Sequence, residues 1–177
     1  MAEYAPEQRP KKAVLIKELL HPERPREFGL RWAVNSRKAT PESIKASFEY
    51  LINIGLSKHK IAVQSALLAL DVGKLEKNYR FLRDEMHLTP KKIASRAALL
   101  GQNPETIRSN GIFLRDEMRL TPEKIAQQAF LLGKNPESIR EKFKSLLRDG
   151  VTENRIRCDA ILLGMKRGTA LKRVKTA

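Results

Sequence analysis

Apolar residues return along this chain with a helical period, and that short period is nested in a longer one. Ile44, Phe48 and Leu51 are spaced by four and three, Ile139, Phe143 and Leu146 repeat the interval, and Ile107, Leu114 and Met118 are spaced by seven and four. Such spacing lines one face of a 3.6-residue helix, and no stretch reads as a convincing strand. The pattern predicts an all-α fold.

The longer period is a unit of about 32 residues. "FLRDEMHLTPKKIA", residues 81–94, comes back as "FLRDEMRLTPEKIA", residues 113–126, with only His87 changed to Arg119 and Lys91 to Glu123. Four copies run over 40–72, 73–102, 103–134 and 135–165, between an N-terminal basic arm with a short helix (1–38) and a basic tail (166–177). Each outer copy lacks one residue in its central turn, a deletion that a loop would absorb. His87 and Arg119 fall on that turn and are expected to vary freely.

Each copy reads as two helices. Asn103-Pro104 and Asn135-Pro136 open the first, Thr89-Pro90 and Thr121-Pro122 the second, each pairing an N-cap acceptor with a proline where no amide hydrogen is missed. The second helix follows "KIAxxAxLLG" and places Gly101, Gly133 or Gly164 where a left-handed C-cap would fall. Gly111 takes the place of Phe48, Tyr79 and Phe143 in the other copies, which predicts close packing against a large neighbour. Helix pairs this short cannot bury their own apolar faces, so the expected architecture is a solenoid of stacked units with worn outer copies as caps.

Charge adds a partner. Lys and Arg number 35 against 20 Asp and Glu, a net +15 with a pI near 10.2. A surplus of that size fits a polyanion, since each phosphate neutralised releases condensed counterions. Residues 166–177 carry five cations and no acid, which reads as a flexible arm for phosphates. The single cysteine, Cys158, suits a reducing compartment and is expected to be buried. No apolar run approaches the roughly 20 residues that cross a bilayer, and "MAEYAPEQRPKK" has no apolar signal region. The expected setting is intracellular, in cytoplasm or nucleoid, with an organelle as the alternative, and the expected state is a monomer.

Cations recur at fixed places in the unit. Lys60, Lys92, Lys124 and Arg155 precede the conserved Ile of the second helix, a position expected to face solvent. Lys45, Arg108 and Arg140 form a second series, broken by Glu76, and Arg83, Arg115 and Arg148 a third. Lys166, Arg167, Lys172 and Arg173 extend the set into the tail. Stacked at about 10 Å per helix, four units would advance on the order of 40 Å, about 12 base pairs of duplex. Trp32 is expected to pack under the first repeat. His21, His59 and His87 have no ligand spacing, no glycine-rich phosphate loop follows a strand, and the acids of "RDE" at Arg83–Glu85 and Arg115–Glu117 lie on a polar side. No enzymatic activity, metal or cofactor is expected.

The repeat "NPExIRxNxxFLRDEMxLTPEKIA", with its "LLG" helix end, resembles the mitochondrial transcription termination factor family over residues 40–165. The resemblance implies a right-handed helical solenoid binding duplex DNA or structured RNA along a basic face. That family carries a proline before the double leucine where Ala66, Ala97, Ala129 and Ala160 stand here, so the second helix is expected to run straight. "TPEKIAQQAFLLGKNPESIREKF" also resembles a helix-turn-helix, but Ala126 and Gly133 are seven apart, too far for that motif's turn. Nucleic acid, either DNA or structured RNA including ribosomal RNA, is the expected partner. The alternative is a protein-interaction scaffold or a ribosome-associated structural protein.

Overall fold

The structure, a computed structural model, describes residues 8–176; the first seven residues of the basic arm and the last of the tail lie outside it. Every regular element among the described residues is helical. The chain divides into two compact units, Met1–Glu85 with Thr89–Gln102, and Met86–Leu88 with Asn103–Ala177.

The first unit holds α1 (Gln8–Leu20), α2 (Glu27–Asn35), α3 (Pro41–Asn53), α4 (Lys58–Val63), α5 (Val72–Arg80) and α6 (Pro90–Ser95). The second holds α7 (Pro104–Ile112), α8 (Pro122–Gln127), α9 (Pro136–Arg148), α10 (Glu153–Cys158) and α11 (Arg167–Thr176). Each helix from α3 to α10 starts on a side-chain N-cap, in order Thr40, Ser57, Asp71, Thr89, Asn103, Thr121, Asn135 and Thr152. Those caps satisfy amides that the first turn leaves without partners.

The second helix of each copy is broken, not straight. It leaves the α conformation at Gln64 (φ −116°, ψ 39°), Arg96 (−121°, 39°), Gln128 (−106°, 28°) and Asp159 (−126°, 63°). It then resumes as a 3₁₀ turn over Ser65–Ala69, Ala97–Gly101, Ala129–Gly133 and Ala160–Gly164. The first copy's partner to Ala97 is therefore Ser65, one residue before Ala66. Leu67–Leu68, Leu99–Leu100, Leu131–Leu132 and Leu162–Leu163, which lie in these turns, are all buried. Adjacent residues on a 3₁₀ turn diverge by about 120°, so the two leucines of each pair are covered by packing on different sides, each burial contributing about 1.5–3 kcal/mol.

The glycines that end these turns do not adopt the expected left-handed conformation. Gln102 and Met165, which follow Gly101 and Gly164, are extended. Close approach explains these two glycines instead. A Cβ on Gly164 would stand 2.3 Å from the Phe130 ring, and one on Gly101 would stand 3.0 Å from the Leu67 side chain.

The central turn likewise departs from expectation. α3 and α9 run as plain 13-residue helices, and their left-handed C′ residues are Gly55 (φ 91°) and Gly150 (φ 81°). In the inner copies α5 and α7 continue into π turns, Phe81–Glu85 and Phe113–Glu117. The extra residue is thus absorbed inside the helix rather than in the loop, the usual origin of a π bulge. Accordingly the Leu56 amide bonds the Leu51 carbonyl five residues back, whereas the Leu120 amide bonds the Leu114 carbonyl six back. After the turn, Leu56, Leu88, Leu120 and Val151 are all buried, so the register is recovered. The left-handed residues here are His87 (φ 53°) and Arg119 (φ 51°). They are conformationally constrained and not free to vary.

The flanks are more ordered than the sequence suggests. α1 and α2 pack on α3 and on the 3₁₀ turn Ser65–Ala69, where α1 buries Lys12, Ile16 and Leu20. The Lys12 ammonium donates to the Ser36 carbonyl at 3.0 Å, a cation at the negative end of α2. "HPERPREFGLRW", expected to be irregular, enters α2, which buries Gly29 and Ala33. Trp32 lies on the opposite side and is 45% exposed, so it does not pack under the first repeat. The tail is not a flexible arm in the described residues but the helix α11, with Ala170 buried. Cys158 is exposed because it follows the buried Ile156 by two residues, about 200° around the helix. Gly111 is buried on α7.

A left-handed arginine bears a steric cost that glycine does not. Arg119→Gly should therefore stabilise the fold by about 0.5–1 kcal/mol, read as a higher urea midpoint at unchanged m-value.

Candidate nucleic-acid interface

Lys60, Lys92, Lys124 and Arg155 occupy the same spot in four short helices. Their backbone amides donate to the N-cap hydroxyls of Ser57, Thr89, Thr121 and Thr152, at 3.3, 3.3, 3.4 and 3.2 Å. They are thus third helical residues, where a Glu or Gln would complete a capping box and an acid would suit the positive helix end. A cation there works against local helix electrostatics in all four copies.

Only Lys60 is exposed as expected; Lys92, Lys124 and Arg155 are half-buried. Within the second unit the Lys124 ammonium reaches the Arg157 carbonyl at 3.5 Å, and Arg155 Nε is buried with no hydrogen-bond partner among the described residues. Within the first, Lys60 borders a surface depression of about 330 Å³ together with His59, Gln64 and Arg96. Arg96 is the residue at which the second helix breaks, so the break itself turns a cation toward Lys60's surface.

The other candidate cations divide into paired and unpaired. Arg83 and Arg115 fork onto the neighbouring Asp84 and Asp116, with shortest contacts of 2.6 and 2.7 Å. The hydrogen bond from Arg115 holds the Asp116 carboxyl below the usual carboxylate range, and the one Arg83 donates to Asp84 raises the pKa of Arg83. Arg140 stands 5.1 Å over the Phe113 ring and 3.8 Å from Glu117. Arg167 and Arg173 make forked pairs with Asp149 and Asp159 that hold α11 against the last repeat. These five serve internal contacts first. Arg108 also has an interaction of its own. Lys45, Arg148, Lys166 and Lys172 are exposed with no ion pair to an acid among the described residues, which leaves them available to a ligand.

The sequence missed a polar series that carries the repeat. Three residues beyond Ile44, Leu75 and Ile107 stand Ser47, Asn78 and Asn110, all buried. Ser47 Oγ donates to the Leu70 carbonyl at 2.7 Å, and Asn78 Nδ2 to Leu100 and Gln102 at 2.9 and 3.0 Å. Asn110 Nδ2 lies 3.1, 3.0 and 2.7 Å from the carbonyls of Leu131, Leu132 and Lys134. Each thereby satisfies carbonyls that the 3₁₀ turn leaves open. In the fourth copy the position is Lys142, which borders a depression of about 350 Å³ with Lys134 and Ser138. Burial first, and the neighbouring Arg167 second, push its ammonium pKa down, while Asp149 opposes them. The signal was present in the sequence, as a polar residue at a fixed offset inside an apolar face.

Among the described residues no three or more His, Cys, Asp or Glu side chains group to hold a metal ion, and no helix is long and apolar enough to cross a membrane. No protein-family model and no curated protein matches the chain.

Asn110→Ala removes the donor shared by three carbonyls and should destabilise the second unit by about 2 kcal/mol, read from urea unfolding. A pH effect follows from Asp149, whose pKa is lowered chiefly by the hydrogen bond from Arg167. A carboxylate depressed in the folded state adds stability above its unfolded value near 4, and loses it as pH falls through the folded value. The protection of α11 amides relative to their intrinsic exchange rates should therefore fall below about pH 4, and Asp149→Asn should produce the same loss of protection at pH 7.

Proposed function

We propose that the protein binds nucleic acid without catalysis, gripping phosphates of duplex DNA or structured RNA, ribosomal RNA included, through cations repeated once per unit. A right-handed solenoid of the repeats, as the resemblance to mitochondrial transcription termination factors implies, is part of this reading. The observation that carries it is the identity of the third residue in α4, α6, α8 and α10. Lys60, Lys92, Lys124 and Arg155 are cations in every copy, at a place where helix electrostatics favour an acid. Surface charge with no common task would mix signs there. The net +15 supports the same partner.

Phosphate contacts position a protein without reading bases, so the expected binding is tolerant of sequence. Lys45, Arg148, Lys166 and Lys172 add unpaired charge. Arg83 and Arg115 would join only by exchanging an intramolecular acid for a phosphate, a swap that costs little at exposed pairs, whereas Arg140, Arg167 and Arg173 would have to give up contacts that hold the fold together.

Affinity for duplex DNA or structured RNA should fall steeply with salt, with a slope near −0.9 per duplex phosphate contacted. Absent or salt-insensitive binding would exclude the reading. Changing Lys60, Lys92, Lys124 and Arg155 together to Glu should abolish binding. Because Glu suits the third helical position, this variant should be no less helical than the parent by circular dichroism, which separates lost binding from misfolding.

A further inference from the structure

Helix α2 buries Gly29 and Ala33, half-buries Leu30 and Val34, and leaves its two aromatic side chains exposed. Phe28 is 83% exposed and Trp32 is 45% exposed. Together with Arg31, Asn35 and Ser36 they line one surface depression of about 460 Å³. Gly29 is held by a close approach, since a Cβ there would meet Ser65 Oγ at 2.5 Å. That contact fixes which face of α2 points inward, and so keeps the aromatic pair in water.

The surroundings state the chemistry of the occupant. Arg24, Arg26, Arg31, Arg37 and Lys38 are exposed on this segment, against the two acids Glu23 and Glu27. Arg31 contacts Glu27 at 2.8 Å, but both side chains are about three-quarters exposed, so a phosphate can replace that acid readily. Phe28 and Trp32 lie four residues apart, about 6 Å along the axis, which is close to the gap of roughly 7 Å that a base stacked at 3.4 Å on each side requires. Asn35 offers an amide donor and acceptor at the rim of the same depression. A flat apolar ring with a polar edge and an attached negative charge meets all three features.

We propose that Phe28 and Trp32 form a stacking platform for an unpaired nucleobase, with Arg31 on the adjoining phosphate and Asn35 at the base edge. The proposal rests on the nucleic-acid reading above and deepens it: the protein would take strands bearing unpaired bases, such as RNA loops or single-stranded DNA, in addition to gripping duplex phosphates.

Trp32 is the only tryptophan, so its emission reports on this site alone. The full chain is titrated with oligo-uridylate or oligo-thymidylate of about 12 nucleotides, within the known range of single-strand site sizes, and with a blunt duplex of equal length. Binding is followed both by anisotropy of the labelled strand and by Trp32 fluorescence. Single strands should quench Trp32 and the duplex should not. Phe28→Ala should weaken single-strand binding by about tenfold and leave duplex affinity unchanged, as loss of one stacking partner predicts. The two oligonucleotides distinguish ribose from deoxyribose strands. Anisotropy that rises without quenching, or single-strand affinity unchanged in Phe28→Ala, overturns the platform and leaves the phosphate reading standing. No anisotropy change with any strand or with the duplex overturns both. Quenching that follows protein concentration alone, with a doubled mass by light scattering, assigns the face to a second copy of the chain and also overturns the proposal.

Discussion

Burying two adjacent leucines on one short helix is the demand that shapes every repeat. Adjacent residues point about 100° apart on an α-helix and about 120° apart on a 3₁₀ turn, so the second helix, which changes pitch after its first six residues, must be covered on two sides. The change leaves carbonyls without intrahelical partners at the end of the 3₁₀ turn. Ser47, Asn78 and Asn110 answer that cost from the first helix of the same copy. In these three copies break and buried polar side chain are one arrangement, and removing the side chain leaves carbonyls unsatisfied; the fourth copy carries Lys142 at that place.

Much of this was legible in the sequence, and what was not has specific causes. Helix starts could be read because Thr-Pro and Asn-Pro state their own geometry. The break could not be read from its residue, since Gln64, Arg96, Gln128 and Asp159 share little chemistry and no proline marks the site. The π turns were hidden by the assumption that an extra residue must go to a loop. The basic series was legible by position in the repeat, but the acids that pair with several of its members were not. Pairing of Arg83 with Asp84 joins side chains that a regular helix would splay apart, and Arg167 finds Asp149 across 18 residues.

The cations thus fall into two kinds that net charge cannot distinguish. Those at Arg167 and Arg173 hold an element in place, and those at Lys60 and Lys92 hold none. The first kind is tied to acids and contributes to folding, while the second leaves a positive field facing outward. Trp32 and Phe28 show the same division among apolar residues, since α2 is anchored by its glycine and alanine and keeps its aromatics outside.

Two lengths of turn deliver the chain to the same buried residue. Gly55 closes the short form before Leu56, and Arg119 closes the long form before Leu120. Because the π turn takes up the additional residue before the next element begins, a change of length in the turn is not passed on to the helix that follows. The turn is in that respect a length buffer, and an insertion of one residue there alters the local winding without altering which side chain is delivered to the core.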